Sequence, residues 1–217
     1  MSKKKKLKHA FHFSQTGKHV LVEKPFSSNE KEAKIMLDTQ MEEQKKQSKH
    51  LALVEAFHYR HHPLSLNVPR LMDTIGIVKS IKIVNALPSW MKKVGFDSND
   101  IRFDYSLAGG VFMDFGCYAI NMMRLMVESS KQVYGAKNEQ NEEEIPQVVS
   151  AKAQLLREQV DHTIEADFFY SKSNIKVQMT VTFQAKSAMP NNSIEVEGED
   201  GRLFIFNLLV RRKEFLE

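Results

Sequence analysis

Short apolar runs broken by proline and polar residues open the chain, and alternating apolar and polar positions close it. Residues 8–16, of mixed polarity around Phe11 and Phe13, predict a helix ending at Gly17. His19 to Val22 is a β-branched and aliphatic run stopped by Pro25, which predicts a strand. Asn29 and Glu32 then have capping-box spacing ahead of Ala33, Met36, Leu37 and Met41, so a helix is expected over 30–46. Leu51 to Phe57 is a nearly continuous apolar run, the pattern of a strand buried on both faces of a parallel sheet. Strand, helix and strand together make one βαβ unit.

The pattern changes after Pro63. Leu64 to Met72 reads as a helix despite Pro69, and Gly76 leads into a strand over Ile77 to Ala86. Pro88 to Asp100 reads as loop, Ala108-Gly109-Gly110 breaks the chain, and 112–127 predicts a helix rich in Met, Phe, Ile and Leu. Lys131 to Gln147, with Glu139 and Glu142 to Glu144, reads as an exposed acidic loop. Strands are expected at Val148 to Leu156, Thr163 to Phe169, Ile175 to Phe183, Ser193 to Glu197 and Arg202 to Phe206, with turns at Ser171 to Asn174 and Glu199-Asp200-Gly201. Successive strands with tight turns imply a mostly antiparallel sheet with helices on one face. The expected class is therefore α/β followed by α+β, with a boundary near Phe57 and units 1–57 and 58–217.

Composition supports a packed core. The 217 residues are 42% hydrophobic and 27% charged, with a mean hydropathy of -0.39. The net charge of +4 comes largely from Lys3 to Lys6 and Lys8, a run that reads as a solvated tail or as a localisation or polyanion-binding signal. Basic residues interleaved with aromatics on one face are missing, so no nucleic-acid partner is expected. Cys117 is the single cysteine, which excludes an intramolecular disulfide and points to a cytoplasmic setting. Neither a secretory h-region nor an apolar stretch long enough for a bilayer is present, so no membrane partner is expected.

Two segments carry candidate chemistry. Glu23-Lys24-Pro25 lies at the carboxyl end of a predicted parallel strand, where open α/β sheets bind ligands, although a Lys-Pro there is more often a plain turn. Asp114 and Tyr118 are four apart, so a helix brings them to one face, and Gly109-Gly110 permits close backbone approach. A capped helix with Asp114 at its positive end and Tyr118 in the core explains the same spacing. His58, His61 and His62 lack acidic or cysteine ligands at supportive spacing, so no metal is expected. Cys117 reads as a buried helix residue.

Taken together, the segments resemble the Gfo/Idh/MocA oxidoreductases, named for glucose-fructose oxidoreductase and inositol dehydrogenase. Gly17 to Pro25 resembles that family's Glu-Lys-Pro region, and Glu55-Ala56-Phe57-His58-Tyr59-Arg60-His61-His62-Pro63 its crossover into the second domain. Asp100-Ile101-Arg102-Phe103-Asp104, Ala108-Gly109-Gly110 and Asp114-Phe115-Gly116-Cys117-Tyr118 resemble its substrate-side helix. Val160 to Thr163 and Glu197 to Gly201 resemble its later sheet. Tyrosine at 118, where many members carry histidine, is typical of the dihydrodiol dehydrogenase, D-xylose dehydrogenase and glucose-fructose oxidoreductase branch.

That resemblance implies hydride transfer between NADP or NAD and a CH-OH carbon of a sugar, polyol or trans-dihydrodiol. It makes residues 1–57 the C-terminal remnant of a Rossmann parallel sheet, and implies a homodimer through the open face of the antiparallel sheet. Glu23, Lys24 and Pro25 fall on the cofactor side, and Arg102, Asp114 and Tyr118 on the substrate side. Tyr118 is expected to be the acid/base, Lys24 the cation that lowers its pKa, and Asp114 an anchor for sugar hydroxyls, because a phenol near pKa 10 needs a cation to ionise at neutral pH. No Gly-x-Gly-x-x-Gly occurs, and a short charged stretch follows Asn207, so the chain reads as truncated at both ends. Two functions follow as expectations: a dehydrogenase, or a non-catalytic relic that binds a sugar-like ligand or dimerises.

Overall fold

The computed structural model describes residues 12, 16–91, 100–134, 143–157 and 159–206. Most of the helix expected over 8–16, part of the loop after Pro88, Glu139, Glu142 and the C-terminal tail lie outside them. Strands β1 (Val20–Val22) and β2 (Leu53–Glu55) pair in parallel, with Val20 opposite Leu53 and Val22 opposite Glu55. Helix α1 (Glu30–Gln47) joins them. Asn29 Oδ1 accepts from the Glu32 N–H at 3.0 Å, while Glu32 Oε2 accepts from Ser28 N–H at 3.1 Å, a capping box displaced outward by one residue. Val22 and Met36, with Val20, Phe26 and Leu53 against them, form a small separate core.

Burial of this sheet on both faces, as the apolar runs suggest, is not what forms. Leu21 is 72% exposed and Val54 46% exposed, because α1 covers one face and none of the described residues covers the other.

The larger sheet has six strands: β3 (Val78–Pro88), β4 (Gln147–Arg157), β5 (Val160–Tyr170), β6 (Ile175–Ala185), β7 (Asn191–Gly198) and β8 (Arg202–Phe206). Their order is β4-β5-β6-β3-β7-β8. All pairings are antiparallel except the central one, β3 with β6, where Ile81 lies opposite Val177. That exception has a topological reason. β3 precedes the main helix in the chain, and the later meander β4-β5-β6 returns to its side, so tight turns govern only neighbours in sequence.

Alternation in β6 sorts its two faces. Ile175, Val177, Met179, Val181 and Phe183 are buried, while Lys176, Gln178 and Thr180 point the other way. Helices α2 (Pro63–Asp73) and α3 (Cys117–Tyr134) cover the apolar face with Val68, Met72, Met122, Met123 and Met126. Removing these side chains from water holds helix to sheet.

α3 runs further than the expected 112–127. Ser129 and Ser130 are small enough to be buried on its packed face, so its polar C-terminal stretch remains helical. Glu144, read as part of an exposed loop, is instead buried. Its Oε1 accepts from the N–H groups of Lys172 and Ser173 at 2.6 and 3.2 Å, and the Ser173 hydroxyl donates to its Oε2, which pins the turn between β5 and β6.

Candidate active site

Lys24 stands just past the end of β1, and its peptide bond to Pro25 is cis. Glu55 Oε1, at the end of β2, accepts from the Phe26 N–H at 2.7 Å and holds the loop that follows. The carboxyl ends of the two parallel strands therefore fix the backbone on either side of Lys24, as expected for open α/β sheets.

The facing wall is built by the glycine pair. Gly110 donates its N–H to the Arg102 carbonyl and Gly109 to the Asp104 carbonyl, both at 2.8 Å. A Cβ on Gly109 would sit 2.7 Å from the Arg102 carbonyl oxygen, so the 100–104 segment can fold onto the helix start only with glycine there. Asp161 of β5 accepts from the Phe112 N–H at 2.7 Å. The helix then begins with a π-helical turn over Phe112–Gly116 before α3, a deviation that recurs at functional sites.

These supports bring the expected residues together. Lys24 Nζ donates to Asp114 Oδ1 at 2.6 Å and to the Asp114 carbonyl at 2.9 Å. The neighbouring carbonyl, of Phe115, faces Asn85 Nδ2 at 3.5 Å. Lys24 Nζ also lies 4.9 Å from the centroid of the Tyr118 ring, within cation–π range. Tyr118 packs against Phe57, His58, Tyr59 and Phe115, with ring centroids 5.3, 5.9, 6.1 and 6.4 Å away. Arg102 faces carboxylates: its Nε donates to Asp114 Oδ2 at 2.8 Å and its Nη1 to both oxygens of Asp100 at 3.1 and 3.0 Å.

The electrostatics depart from the expected picture in one respect. Burial above all, then the neighbouring Cys117, Asp114, Glu23 and Glu55, pushes the Tyr118 phenol up to about 12 rather than down. Burial likewise pushes the Cys117 thiol up to about 11, which suits an inert side chain.

Sequence reasoning gave no role to Asp100, Asp161, Asn85 or Glu55. The Asp100-to-Arg102 spacing is visible in the sequence, but the pairing of Arg102 with Asp114 needs the fold. The histidine cluster is dispersed in use: His62 Nδ1 caps α2 by accepting from the Leu64 N–H at 3.1 Å, while His58 packs on Tyr118.

A cleft of about 290 Å³ adjoins the site, lined by Pro25, Phe26, Glu55, Phe57, Phe112 and Cys117 among others. A cavity of about 330 Å³ lies elsewhere along α3, between Arg60, Arg124, Lys131, Glu144 and Tyr170, and includes none of Lys24, Asp114 and Tyr118.

Among the described residues, the corner around Lys24 and Tyr118 fits the nicotinamide end of a dinucleotide. Lys24 and Tyr118 suit the neighbourhood of a reacting carbon. The helix that follows β1 does not suit pyrophosphate: residues 23–29 contain no glycine, the first turn of α1 carries Glu30 and Glu32, and Asn29 already caps the Glu32 N–H. Acidic side chains at a helix N-terminus oppose a second anion there.

Comparison with known proteins agrees with this architecture. The GFO/IDH/MocA C-terminal domain matches residues 73–204. D-xylose 1-dehydrogenase (NADP(+)) 2 of Haloferax volcanii is 34% identical over 119 residues, which cover 54% of this chain and 33% of that enzyme. The trans-1,2-dihydrobenzene-1,2-diol dehydrogenase of Xenopus laevis is 25% identical over 181 residues, 82% of this chain and 46% of that enzyme. Among solved structures, a 3-ketoreductase from Actinomadura kijaniata in complex with NADP and TDP-benzene superposes with a TM-score of 0.68 at 24% identity, covering 94% of this chain and 54% of that one. The chain thus spans a third to about half the length of these proteins. With a mixed six-stranded sheet, helices on one face and a domain match across most of that sheet, this chain belongs to the Gfo/Idh/MocA oxidoreductase family.

Proposed function

We propose that the chain provides the proton-transfer and substrate-holding side of an NAD(P)-dependent oxidoreductase acting on CH-OH groups of sugars, polyols or trans-dihydrodiols. The observation that carries this reading is the convergence of Lys24 with Asp114 and Tyr118, from segments about 90 positions apart. A nicotinamide nucleotide, when bound, supplies or accepts the hydride. Tyr118 handles the proton at the substrate oxygen: in reduction its hydroxyl donates to the forming alkoxide, and Lys24 beside the ring steadies the resulting phenolate. In oxidation the same groups work in reverse, the phenolate accepting the proton of the substrate hydroxyl. Asp114 holds Lys24 in place and presents an anionic edge to substrate hydroxyls.

Fluorescence titration with NADPH tests the nucleotide half of the proposal. Saturable quenching, with NADPH consumed on addition of a keto-sugar, is the expected outcome. Silence from a folded chain favours the second reading, a sugar-binding module without hydride transfer.

The assembly we propose is a homodimer through the open face of the six-stranded sheet. Exposed Phe204 and Phe206 stack there with centroids 6.4 Å apart, opposite the helix-covered face. The separate small core around Val22 and Met36 supports a unit boundary at residue 57. A cytoplasmic setting rests on the single unpaired Cys117, and no described helix is long and apolar enough to cross a membrane.

A further inference from the structure

Asp114 has both carboxylate oxygens committed to cations, one 90 positions away in the chain and one 12 positions away. Oδ1 accepts from Lys24 at 2.6 Å and Oδ2 from Arg102 Nε at 2.8 Å. Arg102 in turn is gripped from behind, because Asp100 accepts from its Nη1 through both oxygens and from its backbone N–H at 2.9 Å. The backbone bonds from Gly109 and Gly110 to Asp104 and Arg102 fasten this segment to the helix that carries Asp114. A guanidinium is a planar fork with fixed angles between Nε and Nη, so one side chain can hold two carboxylates in a set relation. An ammonium has the charge but not the fork.

We propose that Asp100 and Arg102 form a positioning pair, which pins Asp114 and through it holds the Lys24 ammonium over the Tyr118 ring. The inference rests on the acid/base reading of Tyr118 and adds what decides where Lys24 points. Two carboxylates and two cations make a balanced cluster at the mouth of the site. Arg102 is therefore a positioning residue whose charge is already spoken for, rather than a free cation for substrate. Charge alone does not explain the arrangement, since a lysine in its place would keep the charge and lose the angle.

The test is nuclear magnetic resonance on the full chain without any ligand, following contacts between Lys24 Hε and the Tyr118 ring protons in Arg102→Met, Arg102→Lys and Asp100→Asn. Both Arg102 variants are expected to weaken these contacts several-fold, with Asp100→Asn between them and the parent, while amide signals of β6 stay in place. Full retention in Arg102→Met, or restoration by Arg102→Lys, overturns the proposal. Should Arg102→Met disturb β6, Asp100→Asn decides, and contacts as strong as in the parent overturn it. No nucleotide enters the measurement, so its result stands apart from whether the chain transfers hydride.

Discussion

Lys24 and Asp114, 90 positions apart, meet at 2.6 Å, with the Lys24 ammonium 4.9 Å from the centroid of the Tyr118 ring. Asp114 is also one of the anions that raise the phenol. Asp114→Asn removes that anion. Titration of Tyr118 by phenolate absorbance is expected to fall from about 12 toward the ordinary tyrosine value of 10.0. An unchanged titration contradicts the contribution of Asp114 to the raised phenol.

Alkali is expected to weaken the fold through the same residue. Tyr118 and Tyr170 are both pushed up to about 12, by burial first, against 10.0 in an unfolded chain. Between those values the folded state binds more protons than the unfolded, so their stabilisation is complete below pH 10.0 and is lost as pH rises toward about 12. Urea unfolding at stepped pH measures this, and Tyr118→Phe should flatten the decline.

Acid acts through Glu144. Burial works against its charge, yet the Ser173 hydroxyl, the N–H groups of Lys172 and Ser173, and Lys131 together hold its carboxyl below the ordinary value of 4.5. A lowered folded value means the contribution is present above pH 4.5 and lost as pH falls through the folded value. Glu144→Gln should cost about 2 kcal/mol at neutral pH, the scale of hydrogen bonds to a charged group, and progressively less in acid. Chemical denaturation at pH 7 and in acid compares the two.

The open sheet face predicts self-association. Phe204→Lys places a charge on the exposed stack with Phe206, and sedimentation velocity should then show monomer where the parent shows dimer. Dimer in both rejects this face as the interface.

Much of the fold was legible because period and punctuation survive in sequence. The alternation from Ile175 to Phe183 and the Asn29–Glu32 cap spacing each led to the element that forms. Failures occurred where tertiary partners decide. Leu21 and Val54 have the composition of buried strand residues, but only packing shows that one face is uncovered. Glu144 reads as solvated until the β5–β6 turn supplies its donors. Within the site, Lys24, Asp114 and Tyr118 could be named from their local spacing and the resemblance those segments carry. The Arg102–Asp114 bond and the raised Tyr118 could not, since both depend on groups that only folding brings together.

Steady-state reduction of a keto-sugar, followed as NADPH consumption in the parent chain, Tyr118→Phe and Lys24→Met, tests the central claim most directly. The site predicts a loss of about 10²–10⁴-fold in Tyr118→Phe, the range for a positioned general acid, with a smaller loss in Lys24→Met. Equal turnover in parent and Tyr118→Phe, or no NADPH consumption by the parent, contradicts it.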